Sequence, residues 1–205
     1  MSITNEKNGW FFGDSFTYGY GCRPGYEYYK YTINRIGKIW TTIVSENLEL
    51  NEKNMGVNGA SNPCIVNTII ENIKYINKGD YVFIGNTLPV RFQIPDITDN
   101  KISSINNCKY KWNTDEYTFI YNYTTTFVIP FEGMWQDYYD NQYLNLKSII
   151  RDKGANVLFW KHSKWGEYEL IKDETNNKID DPHWTWDSHR KMADWVLNNL
   201  NSDII

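Results

Sequence analysis

Gly9-Trp10-Phe11-Phe12-Gly13-Asp14-Ser15 is the stretch that decides the fold. GWFF is a short, unbroken apolar run, and such a run bounded by turn residues reads as a strand buried on both faces. Gly13-Asp14-Ser15 ends it abruptly in a turn. A strand covered on both faces needs helices on either side, so the next question is whether the rest of the chain alternates strand with helix.

It does. Residues 16–31 are rich in Gly and Tyr and read as a loop. Ile33, Ile36, Trp40, Ile43, Val44 and Leu48 then fall on one helical face, predicting a helix over 33–47. Asn54–Val57 reads as a second strand, closed by Asn58-Gly59. Ile65, Ile69, Ile73 and Ile76 recur at helical spacing, predicting a helix over 63–77 with Pro63 in its first turn. Lys78-Gly79-Asp80 stops it, and Tyr81–Ile84 (YVFI) is a third buried strand. Residues 86–132 show no clean period; with the β-like run Tyr117–Ile129 they read as an insertion, at about 88–134, of loops and a hairpin. Trp135–Lys153 is a third helix ended by Gly154, and Asn156–Trp160 (NVLFW) a fourth strand. Residues 161–182 are polar loop. A closing helix over 185–200 carries Trp186, His189, Met192, Ala193, Val196 and Leu200 on one side. The expectation is one domain spanning 1–205, a three-layer α/β/α sandwich on a mostly parallel sheet with right-handed crossovers.

Composition narrows the function classes. Apolar residues make up 41% of the 205 and charged residues 22%, a globular balance. The net charge of −4 gives no electrostatic reason to bind nucleic acid or an anionic membrane, so neither is expected as a partner. The odd count and wide spacing of Cys22, Cys64 and Cys108 fit neither a disulfide framework nor a zinc site, and they are read as reduced thiols. No apolar signal segment opens the chain and no run reaches the length of a membrane span, so a cytoplasmic location is expected, or association with a virion if the chain is phage-encoded. The Asn- and Tyr-rich composition suggests a phage or low-GC bacterial source. Gly19-Tyr20-Gly21 with Gly25 mimics a dinucleotide fingerprint, but its spacing is one residue too long and no helix opens there, so no cofactor is expected.

In open parallel sheets the chemistry lies beyond the carboxyl ends of the strands. After the first strand stands Ser15, after the second Gly59, after the third Gly85-Asn86-Thr87, and before the last helix Asp180-Asp181-Pro182-His183-Trp184. Acyl transfer needs this set: a hydroxyl, a base to take its proton, a carboxylate to fix the base's tautomer, and preformed N–H donors for the oxyanion.

In that order the four segments resemble the four sequence blocks of the SGNH (GDSL-like) hydrolases, over residues 9–87 and 155–200. The resemblance implies a flavodoxin-like SGNH fold, a triad of Ser15, His183 and Asp180, and an oxyanion hole of the Ser15 and Gly59 amides with a side-chain donor from the third block. No metal is implied, and no HExxH spacing is present. Two departures matter. The family's third block reads G-x-N-D, so Thr87 stands where Asn is expected and Asn86 comes one place early; a slipped loop lets Asn86 serve, or the Thr87 hydroxyl donates, or that donor is lost. Asp181 competes with Asp180 as the acid. Arg91, the one charge in TLPVRF, is a candidate substrate clamp; Trp184 belongs beside the site if His183 is catalytic. His189 reads as structural, and His162 follows a strand near the mouth.

The activity expected is hydrolysis of an ester, with a short-chain acyl such as O-acetyl on a carbohydrate favoured by the 17% aromatic content. The partner expected is a small-molecule or glycan ester. The altered third block keeps one alternative open: an SGNH-like module with weak turnover that binds a glycan or a protein.

Overall fold

A computed structural model describes residues 6–19, 38–88, 91–96, 101–105, 131–161 and 186–200. Four strands, β1 (Asn8–Phe12), β2 (Asn51–Asn54), β3 (Tyr81–Gly85) and β6 (Asn156–Trp160), form one sheet in the order β2-β1-β3-β6, with every pair parallel. The register sets Trp10 opposite Val82 and Phe12 opposite Ile84. It sets Phe83 opposite Leu158 and Gly85 opposite Trp160.

Because successive strand side chains point to opposite faces, the apolar strands build two cores at once. On one face Trp10, Phe12, Val82, Ile84, Val157 and Phe159 meet Ile65 and Ile69 of α3 (Asn62–Asn72) and Tyr143, Leu146 and Ile150 of a long helix, α4 (Glu132–Asp152). On the other, Phe11, Phe83, Leu158 and Trp160 meet Trp40 and Val44 of α2 (Trp40–Asn47) and Met192, Ala193 and Val196 of α5 (Trp186–Asn198). Each large apolar side chain so buried contributes about 1.5–3 kcal/mol. The Phe11 and Phe83 rings stack at 4.7 Å, with Trp40 edge-on to both. This is the three-layer α/β/α sandwich that the strand pattern predicts.

Three expectations need correction. The second strand is Asn51–Asn54, not Asn54–Val57. NEKN is polar because, among the described residues, β2 lies at the edge of the sheet and pairs with β1 alone, so the apolar residues that follow it mark the turn after the strand. The helix predicted from 33 starts at Trp40, since Ile39 has an extended backbone (φ −67°, ψ 157°); residues 33–37 lie outside the described residues. The loop read from residue 16 opens instead with one helical turn, α1 (Ser15–Tyr18). The segment expected as an insertion carries an antiparallel pair of strands, β4 (Phe92–Asp96) and β5 (Lys101–Ile105), in keeping with the expected hairpin; the β-like run at 117–129 lies outside the described residues.

Candidate active site

The site grows from the end of β1. Asp14 is the N-cap of α1: its extended backbone turns the chain, and its Oδ1 accepts the Phe16 N–H at 3.0 Å. Gly19, with φ +79°, closes the turn, so Ser15 is the first residue of a short, doubly capped helical segment. Ser15 is 2% exposed. Among the described residues nothing accepts from its backbone N–H.

The second segment is clamped onto the first. Val57 N–H donates to the Gly13 carbonyl at 3.0 Å, and the Asn54 side chain donates to the Thr17 carbonyl at 2.8 Å while accepting from Gly56 N–H. Gly56 passes so close to α1 that a Cβ there would lie 2.4 Å from the Tyr18 nitrogen. Gly59 has φ +70°, a conformation that favours glycine, and its Cβ position faces open space. Its N–H, like that of Ser15, meets no acceptor among the described residues. Two unpaired backbone donors therefore sit on turns tied to one another at the carboxyl edge of adjacent strands.

The third segment is locked by three side chains. Asn62, fully buried at the start of α3, pairs with Thr87 in both directions: its Nδ2 donates to the Thr87 carbonyl and its Oδ1 accepts the Thr87 N–H, both at 2.9 Å. The Tyr143 hydroxyl donates to the same Oδ1 at 3.0 Å. Burial pushes the Tyr143 hydroxyl well above its ordinary pKa, with the neighbouring Tyr139 and the Asp14 carboxylate adding to the shift, so it stays a donor. The Thr87 hydroxyl donates to Asp14 Oδ2 at 2.8 Å. A hydroxyl has one hydrogen to give, so Thr87 directs none at a substrate. The Asn86 Nδ2 donates to Asp140 Oδ1 at 3.2 Å, and Asp140 also accepts from Gln136 and pairs with Lys161 Nζ at 3.0 Å. Asn86 and Thr87 are 1% and 0% exposed.

Arg91 joins the same cluster: its Nη1 lies 2.8 Å from Asp14 Oδ2, the oxygen that Thr87 also holds. Asp180, Asp181, His183 and Trp184, and also His162, lie outside the described residues. The helix that follows that loop, α5, is anchored nearby. His189 in its first turn is buried, and its Nδ1 faces the Trp40 N–H at 3.4 Å at the start of α2, while the Trp40 indole donates to the Phe16 carbonyl next to Ser15. His189 is thus a packing and capping histidine, as its place on the apolar side of the closing helix predicts.

The structure brings Ser15, Gly59, Asn86, Thr87 and Arg91 to one edge of the sheet. Sequence reasoning assigned no role to Asn62 or Asp140. Asp140 left a signal: it lies between Tyr139 and Tyr143 on the apolar side of α4, where an unpaired carboxylate would be costly. Asn62 left none beyond its place in the second segment. Among the described residues no group of three or more His, Cys, Asp or Glu side chains gathers as a metal site, and no described helix is long and apolar enough to cross a membrane.

No family model matches the sequence, and no curated protein matches it. Solved structures do. A Desulfitobacterium hafniense protein described as a lipolytic protein of the G-D-S-L family superposes with a TM-score of 0.51 at 8% identity, over 94% of this chain and 99% of that one. A member of the G-D-S-L lipolytic family from Veillonella parvula matches at TM-score 0.42 and 15% identity over 94% and 97% of the two chains. An alpha/beta hydrolase, LAE5, from the metagenome of Lake Arreo matches at TM-score 0.42 and 17% identity over 95% and 94%. The first of these likenesses gives this chain the fold of a G-D-S-L lipolytic protein.

Proposed function

We propose that this chain, which shares the fold of a G-D-S-L lipolytic protein, is an SGNH-type serine hydrolase that cleaves a carboxylic ester. The observation that carries the reading is the pair of backbone amides, Ser15 and Gly59, that meet no acceptor among the described residues and sit on turns clamped together. Ser15 Oγ attacks the ester carbonyl. The new C–O bond forms as the carbonyl π pair moves onto oxygen, and the hydroxyl proton passes to a base, the role the sequence resemblance gives to His183 with Asp180 behind it. The two amides hold the oxyanion. Collapse restores the carbonyl and expels the alcohol, which takes that proton; water then repeats the sequence on the acyl-serine. A nucleophile only 2% exposed suits a short acyl group such as acetyl, and the aromatic-rich chain suits a carbohydrate as the alcohol. The test is p-nitrophenyl acetate hydrolysis beside a Ser15→Ala control. Turnover that disappears in the control supports the reading. Turnover equal in both proteins, on several short esters, overturns it in favour of a binding module.

A further inference from the structure

We infer that Arg91 supplies the side-chain donor to the oxyanion that the third block of this chain no longer provides, a catalytic role that rests on the esterase reading above. At the position where the family resemblance expects an asparagine stands Thr87, whose one hydroxyl hydrogen goes to Asp14. Asn86, one place earlier, has its amide nitrogen on Asp140. Arg91 stands beside Thr87. Its Nη1 and the Thr87 hydroxyl hold the same Asp14 oxygen, each at 2.8 Å, so the two donors are at most twice that distance apart.

The guanidinium has five N–H hydrogens and only one of its nitrogens is engaged by Asp14. Its Nε is buried with no hydrogen-bond partner among the described residues, although the side chain as a whole is 15% exposed. A buried, unsatisfied donor on a cation costs free energy in the resting protein, and an anion that forms only during the reaction relieves that cost. When Ser15 Oγ bonds to the carbonyl carbon and the π pair moves to oxygen, a guanidinium N–H accepts part of the new charge; on collapse the charge returns to the carbonyl and Arg91 is unchanged. Asp14 orients the fork by fixing Nη1, and a guanidinium keeps its charge throughout.

Arg91→Met tests this with kcat and KM measured on p-nitrophenyl acetate, and circular dichroism melting checks the fold. The expected result is a kcat lower by about 10²–10³ with little change in KM, the loss typical of one oxyanion donor. Arg91→Lys preserves the charge facing Asp14 but not the planar fork, so it is expected to fold even if Arg91→Met does not, and to lose a similar factor. Guanidinium at sub-denaturing concentration is expected to restore part of the turnover of Arg91→Ala. The double variant Asp14→Asn with Arg91→Met separates donation from mere neutralisation of Asp14. If it recovers turnover, Arg91 only cancels the carboxylate and the inference is overturned. An effect confined to KM, or none, also overturns it. Wild-type protein no faster than Ser15→Ala would instead sink the esterase reading, a result distinguishable from all of these.

Discussion

Replacing Asn62 by alanine removes the link between the second and third segments, and its cost can be worked from the contacts. Three hydrogen bonds end on its carboxamide: two to the Thr87 backbone at 2.9 Å and one from Tyr143 at 3.0 Å. Asn62 and Thr87 are fully buried, so water does not replace the lost partners cheaply. An orphaned buried polar group costs about 1–3 kcal/mol. The Tyr143 hydroxyl has a second acceptor, the Asn62 carbonyl at 3.4 Å, which survives the substitution, so its loss counts little. The two Thr87 groups then set the magnitude, about 3–4 kcal/mol at mid-range. In a chain of this size that lowers Tm by about 10 °C, and it is a large share of a total stability of about 5–15 kcal/mol. Urea unfolding followed by circular dichroism measures it directly, with the m-value unchanged if the native state stays compact. A cost below about 1 kcal/mol would refute the claim that Asn62 locks this loop.

Three other outcomes follow from the same contacts. Asp80, which accepts from the Asn8 and Asn77 backbones and from the Trp10 indole at the opposite end of the sheet, should cost about 2–4 kcal/mol when changed to alanine, yet leave the kcat of the folded protein unchanged. Gly56→Ala drives a methyl into the backbone of α1, so it should destabilise by about 1–3 kcal/mol and also lower kcat, because Ser15 moves with that turn. Stability should fall as pH rises above the ordinary tyrosine range near 10. The unfolded chain releases the Tyr143 proton there while the folded chain, with its raised pKa, retains it; Tyr143→Phe should flatten that limb in denaturation curves taken from pH 8 to 11.

The sheet was legible because GWFF, YVFI and NVLFW are strands covered on both faces, where apolar runs are unbroken. The edge strand β2 was misplaced because one-sided pairing leaves it polar, NEKN, and the nearby Met55 to Val57 looked more strand-like. One-turn α1 has no room for a period, so only its caps, Asp14 and Gly19, announce it. The strand pair in the insertion, FQIPD with KISSI, lacks clean alternation and was overshadowed by the aromatic run at 117–129. Within the candidate site, the placement of Ser15 and Gly59 just past strand ends could be read from position alone. The partners of Asn86 and Thr87 could not, since Asp140 and Asp14 lie 54 and 73 residues away and meet them only through the fold. Asn62 was unreadable for the same reason: a buried carboxamide that serves a backbone 25 residues on leaves no local mark.

The most direct test of the central claim is covalent capture of the nucleophile. The folded protein is treated with a small fluorophosphonate, its intact mass is measured, and the modified peptide is sequenced by tandem mass spectrometry. The account predicts a single adduct on Ser15, parallel loss of p-nitrophenyl acetate hydrolysis, and no adduct in Ser15→Ala. An adduct on another serine, or esterase turnover that survives full labelling, would contradict it.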